Sequence, residues 1–199
     1  LGDSSIGFPY SATGKKHRLQ PIPHCRHANA CVVDLAMVIA AFFAGEEFEG
    51  FIFPAFNQIT TQLAKIQNRS EGFLSMPVVI RVPYGGGIGA VEHHQESNEA
   101  YFLHTAGLRV VSPSNPHDAY WMIQQAIRST DPVLFFEPKR RYWQKGQVDL
   151  DGPPQDLHSA RVLREGTDAT IATYGPMVHT SLQAAEVAAS EGISIEVVD

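Results

Sequence analysis

The chain has 199 residues, 44% of them hydrophobic, which is enough apolar material for one sizeable core or for one domain and part of a second. Lys and Arg total 15 against 21 Asp and Glu, and the formal net charge of -6 argues against a basic surface for nucleic acid. The longest apolar run, from Val32 to Ala44, contains Asp34 and is shorter than the roughly 18–20 residues that cross a bilayer, so no membrane-spanning segment is predicted.

Residues 1–47 do not share the regular pattern of the rest of the chain, and we treat them as an atypical N-terminal stretch. The two cysteines, Cys25 and Cys31, lie here. Two thiols are too few for a disulfide scaffold and favour a reducing compartment. The cluster from His24 to Cys31 suggests zinc, but its spacing fits no common zinc template, so an irregular loop or a foreign sequence is favoured. Because the chain starts with Leu and stops within a strand-like segment, we expect it to be a fragment.

From residue 48 onward, apolar segments recur in a regular order. Phe56, Ile59 and Leu63 lie at three- and four-residue spacing, which predicts an amphipathic helix over residues 54–69. Asn115 precedes Pro116 and is a candidate helix N-cap. The remaining predicted elements of this region are a strand at 77–82, a helix at 98–107, a strand at 108–114, a helix at 115–129 and a strand at 132–138.

A second α/β unit follows a change of composition. Residues 139–167 are charged and contain "DGPP", which is typical of an interdomain connection. Beyond them the chain predicts a strand at 169–175, a helix at 178–190 and a strand at 193–198. Strands that alternate with helices predict an α/β fold with a parallel sheet covered on both faces.

The stretch "PYGGGIGAVEHHQES", from Pro83 to Ser97, follows the predicted strand at 77–82 directly. Ligands of open α/β sheets bind at the carboxyl ends of strands, and glycines let a backbone approach a ligand closely. His93 and His94 can transfer protons near neutral pH. From spacing alone, however, a surface turn with two solvated histidines is slightly favoured over an active-site loop.

Two further features each have two interpretations. "EPKRRYW", from Glu137 to Trp143, is a cationic cluster that either holds an anionic partner or, more commonly, forms a solvated turn with Arg–Glu pairing. Phe51 and Phe53 precede Pro54 at a predicted helix start. Core packing is the ordinary role of such aromatics, and stacking on a flat heterocycle is the alternative.

Four segments, in this order and spacing, closely resemble one family, the beta subunit of the decarboxylating component of 2-oxo acid dehydrogenase complexes. They are "FEGFIFPAFNQITTQLAKIQNRS", "PVVIRVPYGGGIGAVEHHQES", "HTAGLRVVSPSNPHDAYWMIQQAI" and "PVLFFEPKRRYW". The resemblance implies a transketolase-like pyrimidine-binding domain at residues 48–145, a linker at 146–167, and the truncated start of a transketolase C-terminal-like α/β domain at 168–199. "FFEPKRRYW" resembles the branched-chain 2-oxo acid members more than the pyruvate members.

The resemblance also implies an activity and a set of partners. The family decarboxylates a 2-oxo acid oxidatively with thiamine diphosphate and passes the acyl group to a lipoyl carrier. By position, His94 matches the family's catalytic histidine, and Phe51 matches the aromatic that stacks on the cofactor's pyrimidine. An alpha subunit in an α2β2 heterotetramer would hold Mg2+, a lipoyl acyltransferase would accept the acyl group, and a structural potassium ion is expected. The location would be the cytoplasm of a bacterium or the mitochondrial matrix of a eukaryote.

One departure from the family stands out. The family has a segment like "TPLAE" about 25 residues before Phe51, whose glutamate activates the cofactor, whereas this sequence has "PIPHCRH" and no acid between Lys15 and Ala30. A reading-frame shift upstream of Phe48, or a sequencing error that mimics one, would produce this pattern, and the chain as it stands is expected to be inactive. Two other interpretations stay open: a different transketolase-like thiamine enzyme, and a non-catalytic interaction subunit.

Overall fold

The structure, a computed structural model, describes residues 31–34, 49–150, 156–157 and 159–199, and for 31–34, 49 and 51 only the backbone. Its first sheet has four parallel strands in the order β1-β2-β4-β3. These strands are β1 (Cys31–Asp34), β2 (Val78–Tyr84), β3 (Arg109–Val111) and β4 (Val133–Pro138). The predicted parallel α/β fold is therefore confirmed, and one strand of its sheet lies within the stretch 1–47 that the sequence set apart.

Strands β2 and β4 form the centre of this sheet because their sequences are nearly continuous β-branched and aromatic runs, as expected for strands covered on both faces. All six residues of β4 are buried. The two strands end together, with Tyr84 opposite Pro138. The segments that follow them, residues 85–97 and 139–141, consequently leave the sheet at the same edge.

Helical segments and one side of the sheet bury the first core. The predicted helix at 54–69 is present but irregular: a 3-10 turn, Glu49–Ala55, leads into a π-helical stretch, Gln58–Leu63, and a short helix α1 (Ile66–Arg69). A further short helix, α2 (Ala100–Leu103), packs on the same side. The buried side chains of this core are Ile52, Ile59, Ile80, Val82, Tyr84, Phe102, Leu134 and Phe136.

Helix α3 (Pro116–Arg128) covers the opposite face. Its start is as predicted, because the side chain of Asn115 accepts a hydrogen bond of 3.0 Å from the backbone N–H of Asp118. Ile123 and Ala126 pack against Val79, Val133 and Phe135 of the sheet in a second core. Alternate residues of β2 thus enter different cores, as the two-residue period of a strand requires.

The second unit has three strands in the order β5-β7-β6 and one helix. They are β5 (Val162–Arg164), β6 (Ala169–Ala172), α4 (Met177–Ser190) and β7 (Ile195–Val198). Strands β6 and β7 pair in parallel, as expected for a strand–helix–strand unit. Strand β5 pairs antiparallel with β7 and lies within residues 146–167, where the sequence indicated only a linker.

A charged cluster joins the two units. Asp118, 2% exposed at the start of α3, accepts hydrogen bonds of 3.2 and 2.8 Å from the guanidinium of Arg161. The same guanidinium lies 3.3 Å from Asp199, and the single hydroxyl of Ser114 lies within hydrogen-bond distance of both carboxylates, 3.0 Å from Asp118 and 2.7 Å from Asp199. A buried carboxylate is stable only with such partners, so the second unit completes the first at this point. Among the described residues, no helix is long and apolar enough to span a membrane.

Candidate functional site

The glycine-rich loop after β2 has a defined closure. The backbone N–H of Gly85 donates to the carbonyl of Glu96 at 2.8 Å, which joins the two ends of the loop. The side chain of Gln95 bridges its middle, accepting a 3.1 Å hydrogen bond from the N–H of Gly87 and donating to the carbonyl of Ala90. This is the geometry of an ordered loop folded back on itself and not of a loose connection.

A single 3-10 turn, Glu92–His94, places the two histidines in different surroundings. The His94 residue is 8% exposed, whereas the side chain of His93 is 53% exposed and lies 3.5 Å from the carboxylate of Glu92. The ring centroids are 4.0 Å apart. The simple alternative of two solvated histidines is therefore wrong for His94, and the structure distinguishes two neighbours of identical type.

Lys139 comes to this turn from β4. Its ammonium donates a 2.5 Å hydrogen bond to the main-chain carbonyl of His94, and the residue is only 6% exposed. The contact follows from the shared edge at which β2 and β4 end. The sequence favoured a solvated cationic turn for Lys139, and the only signal for its burial was its position directly after the mostly apolar, fully buried strand β4.

The rest of "EPKRRYW" does not form a single anion site. Glu137 pairs with Arg81 of β2, with N–O distances of 2.5 and 3.1 Å, and also accepts a hydrogen bond from the hydroxyl of Tyr142. Arg141 donates to the carbonyl of Pro176 in the second unit at 3.0 Å. The expected Arg–Glu pairing exists, but its arginine belongs to the neighbouring strand.

The segment that carries Phe51 lies against the histidine turn. A Cβ placed on Gly50 would be 2.8 Å from the carbonyl oxygen of His93, so only glycine permits this approach. The structure therefore brings Phe51 and His94, which are distant in sequence, into one region by their backbones. The side chain of Phe51 lies outside the described part of the chain, and its stacking role stays a prediction.

A polar pair lies next to the end of the loop. The hydroxyl of Tyr174, in the second unit, donates a 3.0 Å hydrogen bond to the carboxylate of Glu99, which is 7% exposed. Partial burial and this carboxylate raise the pKa of Tyr174 to about 12. Burial raises the pKa of Tyr84 as well, and its hydroxyl lies 2.8 Å from that of Ser112. These contacts hold the second unit against the carboxyl edge of the first sheet.

Two features singled out in the sequence lie outside the described residues. They are the cluster from His24 to Cys31, except for the backbone of Cys31, and the upstream position at which the family has its glutamate. Within the described ranges, no group of three or more His, Cys, Asp or Glu side chains is arranged to hold a metal ion.

Two family matches cover most of the chain. Residues 35–144 match the family described as transketolase, pyrimidine binding domain, and residues 158–199 match the transketolase C-terminal domain. The first match begins at residue 35, whereas the sequence predicted that the pyrimidine-binding domain starts at residue 48. The second match includes β5.

Several curated proteins are similar in sequence. A pyruvate dehydrogenase E1 component subunit beta from Leifsonia xyli is 66% identical over 77% of this chain and 45% of its own length. A 3-methyl-2-oxobutanoate dehydrogenase subunit beta from Mycobacterium tuberculosis is 49% identical over 77% of this chain and 44% of its own. A 2-oxoisovalerate dehydrogenase subunit beta from Bacillus subtilis is 44% identical over 92% of this chain and 57% of its own.

These relatives confirm the predicted resemblance to 2-oxo acid dehydrogenase beta subunits, although both the pyruvate and the branched-chain names occur among them. The chain spans about half the length of the curated relatives it matches.

Among solved structures, a split-gene transketolase described as an inactive beta4 tetramer matches with a TM-score of 0.61 at 23% identity, over 82% of this chain and 52% of that one. A Pichia stipitis transketolase matches with a TM-score of 0.56 at 19% identity, and the match covers 76% of this chain and 21% of the transketolase chain. These two structures support the fold alone.

Proposed function

The chain belongs to the transketolase pyrimidine-binding domain family, and from that membership we propose that it is the beta subunit of a thiamine diphosphate-dependent 2-oxo acid dehydrogenase. Together with an alpha subunit in an α2β2 assembly, it decarboxylates a 2-oxo acid oxidatively and passes the acyl group to a lipoyl acyltransferase. The cytoplasm of a bacterium is the proposed location, because the similar proteins named above are bacterial.

The observation that carries this proposal is the placement of His94. It is a buried imidazole on an ordered glycine-rich loop, at the carboxyl edge of a parallel sheet, where ligands of such sheets bind. A histidine in that place can hold or deliver a proton near neutral pH, which is the chemistry that acyl transfer from a 2-oxo acid demands of the protein. The exposed His93 beside it has no comparable enclosure.

The loop is compatible with the cofactor that the family implies. Where a Cβ would project from Gly85 or Gly89 there is nothing within 4 Å, so their backbone is open to the approach of another group. Phe51 would stack on the pyrimidine, and His94 would manage protons beside the reacting atoms. Thiamine diphosphate, when bound, supplies the electron sink for decarboxylation. Mg2+ on the alpha subunit and a potassium ion are parts of the proposal that rest on the family resemblance.

The proposed substrate is a branched-chain 2-oxo acid, because "FFEPKRRYW" resembles the branched-chain members and two of the similar proteins carry branched-chain names. Pyruvate is the second candidate, which the 66% identity to a protein named as a pyruvate dehydrogenase subunit favours. The two candidates differ in the size of the acyl group and share one mechanism, so a single assay compares them.

The test uses the beta subunit that the gene encodes, including the upstream acid that we propose another reading frame supplies, assembled with its alpha-type partner. Release of CO2 and acylation of a lipoyl domain are measured with 3-methyl-2-oxobutanoate and with pyruvate, each with and without thiamine diphosphate. We expect both activities to require the cofactor, with the higher kcat/KM for 3-methyl-2-oxobutanoate. No cofactor-dependent turnover of either substrate would contradict the function, and a preference for pyruvate would contradict only the substrate.

The chain with its present residues 1–47 serves as the matched comparison. Because it lacks the acid that activates the cofactor in the family, we expect negligible decarboxylation from it even with the alpha partner. If it turned over at a rate comparable to the acid-containing form, the inference that the upstream acid is needed would be wrong.

A further inference from the structure

We infer that Lys139 is a positioning residue for His94: by holding the carbonyl of the histidine, it fixes the backbone from which the imidazole projects at the carboxyl edge of the sheet. The inference rests on the function proposed above for His94 and adds a residue to which that proposal gives no role. The two residues are 45 positions apart in sequence. They meet because they follow the ends of β2 and β4, which are adjacent parallel strands.

The histidine turn needs such a partner. Glu92–His94 is one short 3-10 turn, in which the N–H of His94 donates to Val91 at 3.0 Å and the N–H of Gln95 donates to Glu92 at 2.9 Å. The carbonyl of the last residue of a short helical turn receives no hydrogen bond from an N–H group within that turn. A cationic side chain that donates to such a carbonyl holds the last residue in place.

Holding this carbonyl acts directly on the imidazole. The carbonyl of His94 belongs to the planar peptide that links it to Gln95, so fixing the oxygen fixes the plane and the ψ angle of His94. With the N–H of His94 also bonded, both peptides that flank its Cα are held. The direction of the Cα–Cβ bond, from which the imidazole projects, is then set by β4 through Lys139.

A lysine at this position is informative because burying an ammonium group destabilises the folded state unless its N–H groups donate hydrogen bonds. Lys139 is 6% exposed, and it directly follows Pro138, the last residue of a fully buried strand. A methionine would fill the same space without this cost, so packing alone does not account for the charge. The hydrogen bond to His94 gives the charge a function in the loop.

The test compares Lys139→Met, which keeps the volume and removes the donor, with Lys139→Arg, which keeps a donor. Lys145→Met serves as the control because Lys145 is exposed and lies outside the site. The first readout is amide hydrogen exchange in peptides that span residues 85–97. We expect exchange there to be about tenfold faster or more in Lys139→Met, and near wild type in the other two.

The second readout is steady-state kinetics of the beta subunit with the proposed upstream acid, measured with its alpha-type partner and a lipoyl domain as acyl acceptor. Lys139→Met should lower kcat about tenfold while KM changes less than about twofold, and Lys139→Arg should recover most of kcat. If Lys139→Met does not fold, Lys139→Gln takes its place in both experiments.

Each result decides the inference. Unchanged exchange at 85–97, or faster exchange spread through β2 and α3, would overturn it, since Lys139 would then be dispensable or a residue of the general fold. Faster loop exchange with unchanged kcat would overturn the positioning role. Wild-type protein inactive towards both 2-oxo acids would reject the proposed function, and the exchange experiment alone would then decide whether Lys139 holds the His94 turn.

Discussion

Arg81 of β2 and Glu137 of β4 form a two-point ion pair across the centre of the parallel sheet, with N–O distances of 2.5 and 3.1 Å. The glutamate side chain is 10% exposed and the arginine side chain 21%. Removing one partner of a buried pair leaves an uncompensated charge, which costs about 3 kcal/mol. We therefore expect Glu137→Gln to lower the free energy of unfolding by about this amount in urea denaturation.

Tyr142→Phe is the control for this pair, because the Tyr142 hydroxyl donates to the same carboxylate at 2.9 Å without carrying charge. Its loss should cost about 1 kcal/mol, the ordinary contribution of one hydrogen bond. Equal effects of the two substitutions would show that the charge of Glu137 contributes nothing beyond its hydrogen bonds.

Gly107 is held against the helical segment in a way that excludes any side chain. Its φ is +95°, and a Cβ placed there would lie 1.9 Å from the carbonyl oxygen of Ala64. Gly192 has a similar φ of +81° with nothing within 4 Å. Gly192→Ala should therefore cost about 1–2 kcal/mol of backbone strain, and Gly107→Ala at least about 2 kcal/mol more, because main-chain atoms must move. Equal losses of unfolding free energy would refute the close contact.

The Tyr174–Glu99 contact predicts a loss of stability at alkaline pH. The folded protein raises the pKa of Tyr174 from 10.0 to about 12, so folding favours the protonated phenol. Its contribution is fully present below pH 10 and is lost as pH rises from 10 towards 12, because the unfolded chain releases this proton first. Tyr174→Phe should thus show a shallower fall in unfolding free energy over this range than the wild type.

Urea denaturation at pH 9, 10 and 11 measures this difference, and the absorbance of the phenolate provides an independent titration. Tyr84, whose pKa is also raised by burial, remains in both proteins and contributes equally to both slopes. Parallel curves for wild type and Tyr174→Phe would contradict the raised pKa of Tyr174.

Much of the fold followed from local patterns in the sequence. β2 and β4 were predictable because buried parallel strands are near-continuous apolar runs, and α3 because Asn115 and Pro116 are strong start signals. β5 was missed because a strand of three residues inside a charged, proline-containing stretch has no local signal. Its place in the sheet depends on pairing with β7, which lies far along the chain.

The site was less predictable than the fold for a related reason. His93 and His94 are identical and adjacent, so composition and spacing could not separate them, and only the family resemblance selected His94. Burial, which the folded structure provides, separates them physically. Lys139 could not be found from the sequence, since its partner is a main-chain carbonyl 45 residues earlier.

The catalytic role proposed for His94 is tested most directly by the rate of CO2 release in His94→Ala and His93→Ala variants of the beta subunit with the proposed upstream acid, assayed with its alpha-type partner, thiamine diphosphate and a lipoyl domain as acyl acceptor. A positioned proton-transfer group contributes about 100-fold or more to a rate. We predict that His94→Ala lowers kcat by at least this factor and that His93→Ala stays within a few-fold of wild type. Similar losses in the two variants, or an unaffected His94→Ala, would contradict the assignment of His94 as the catalytic histidine.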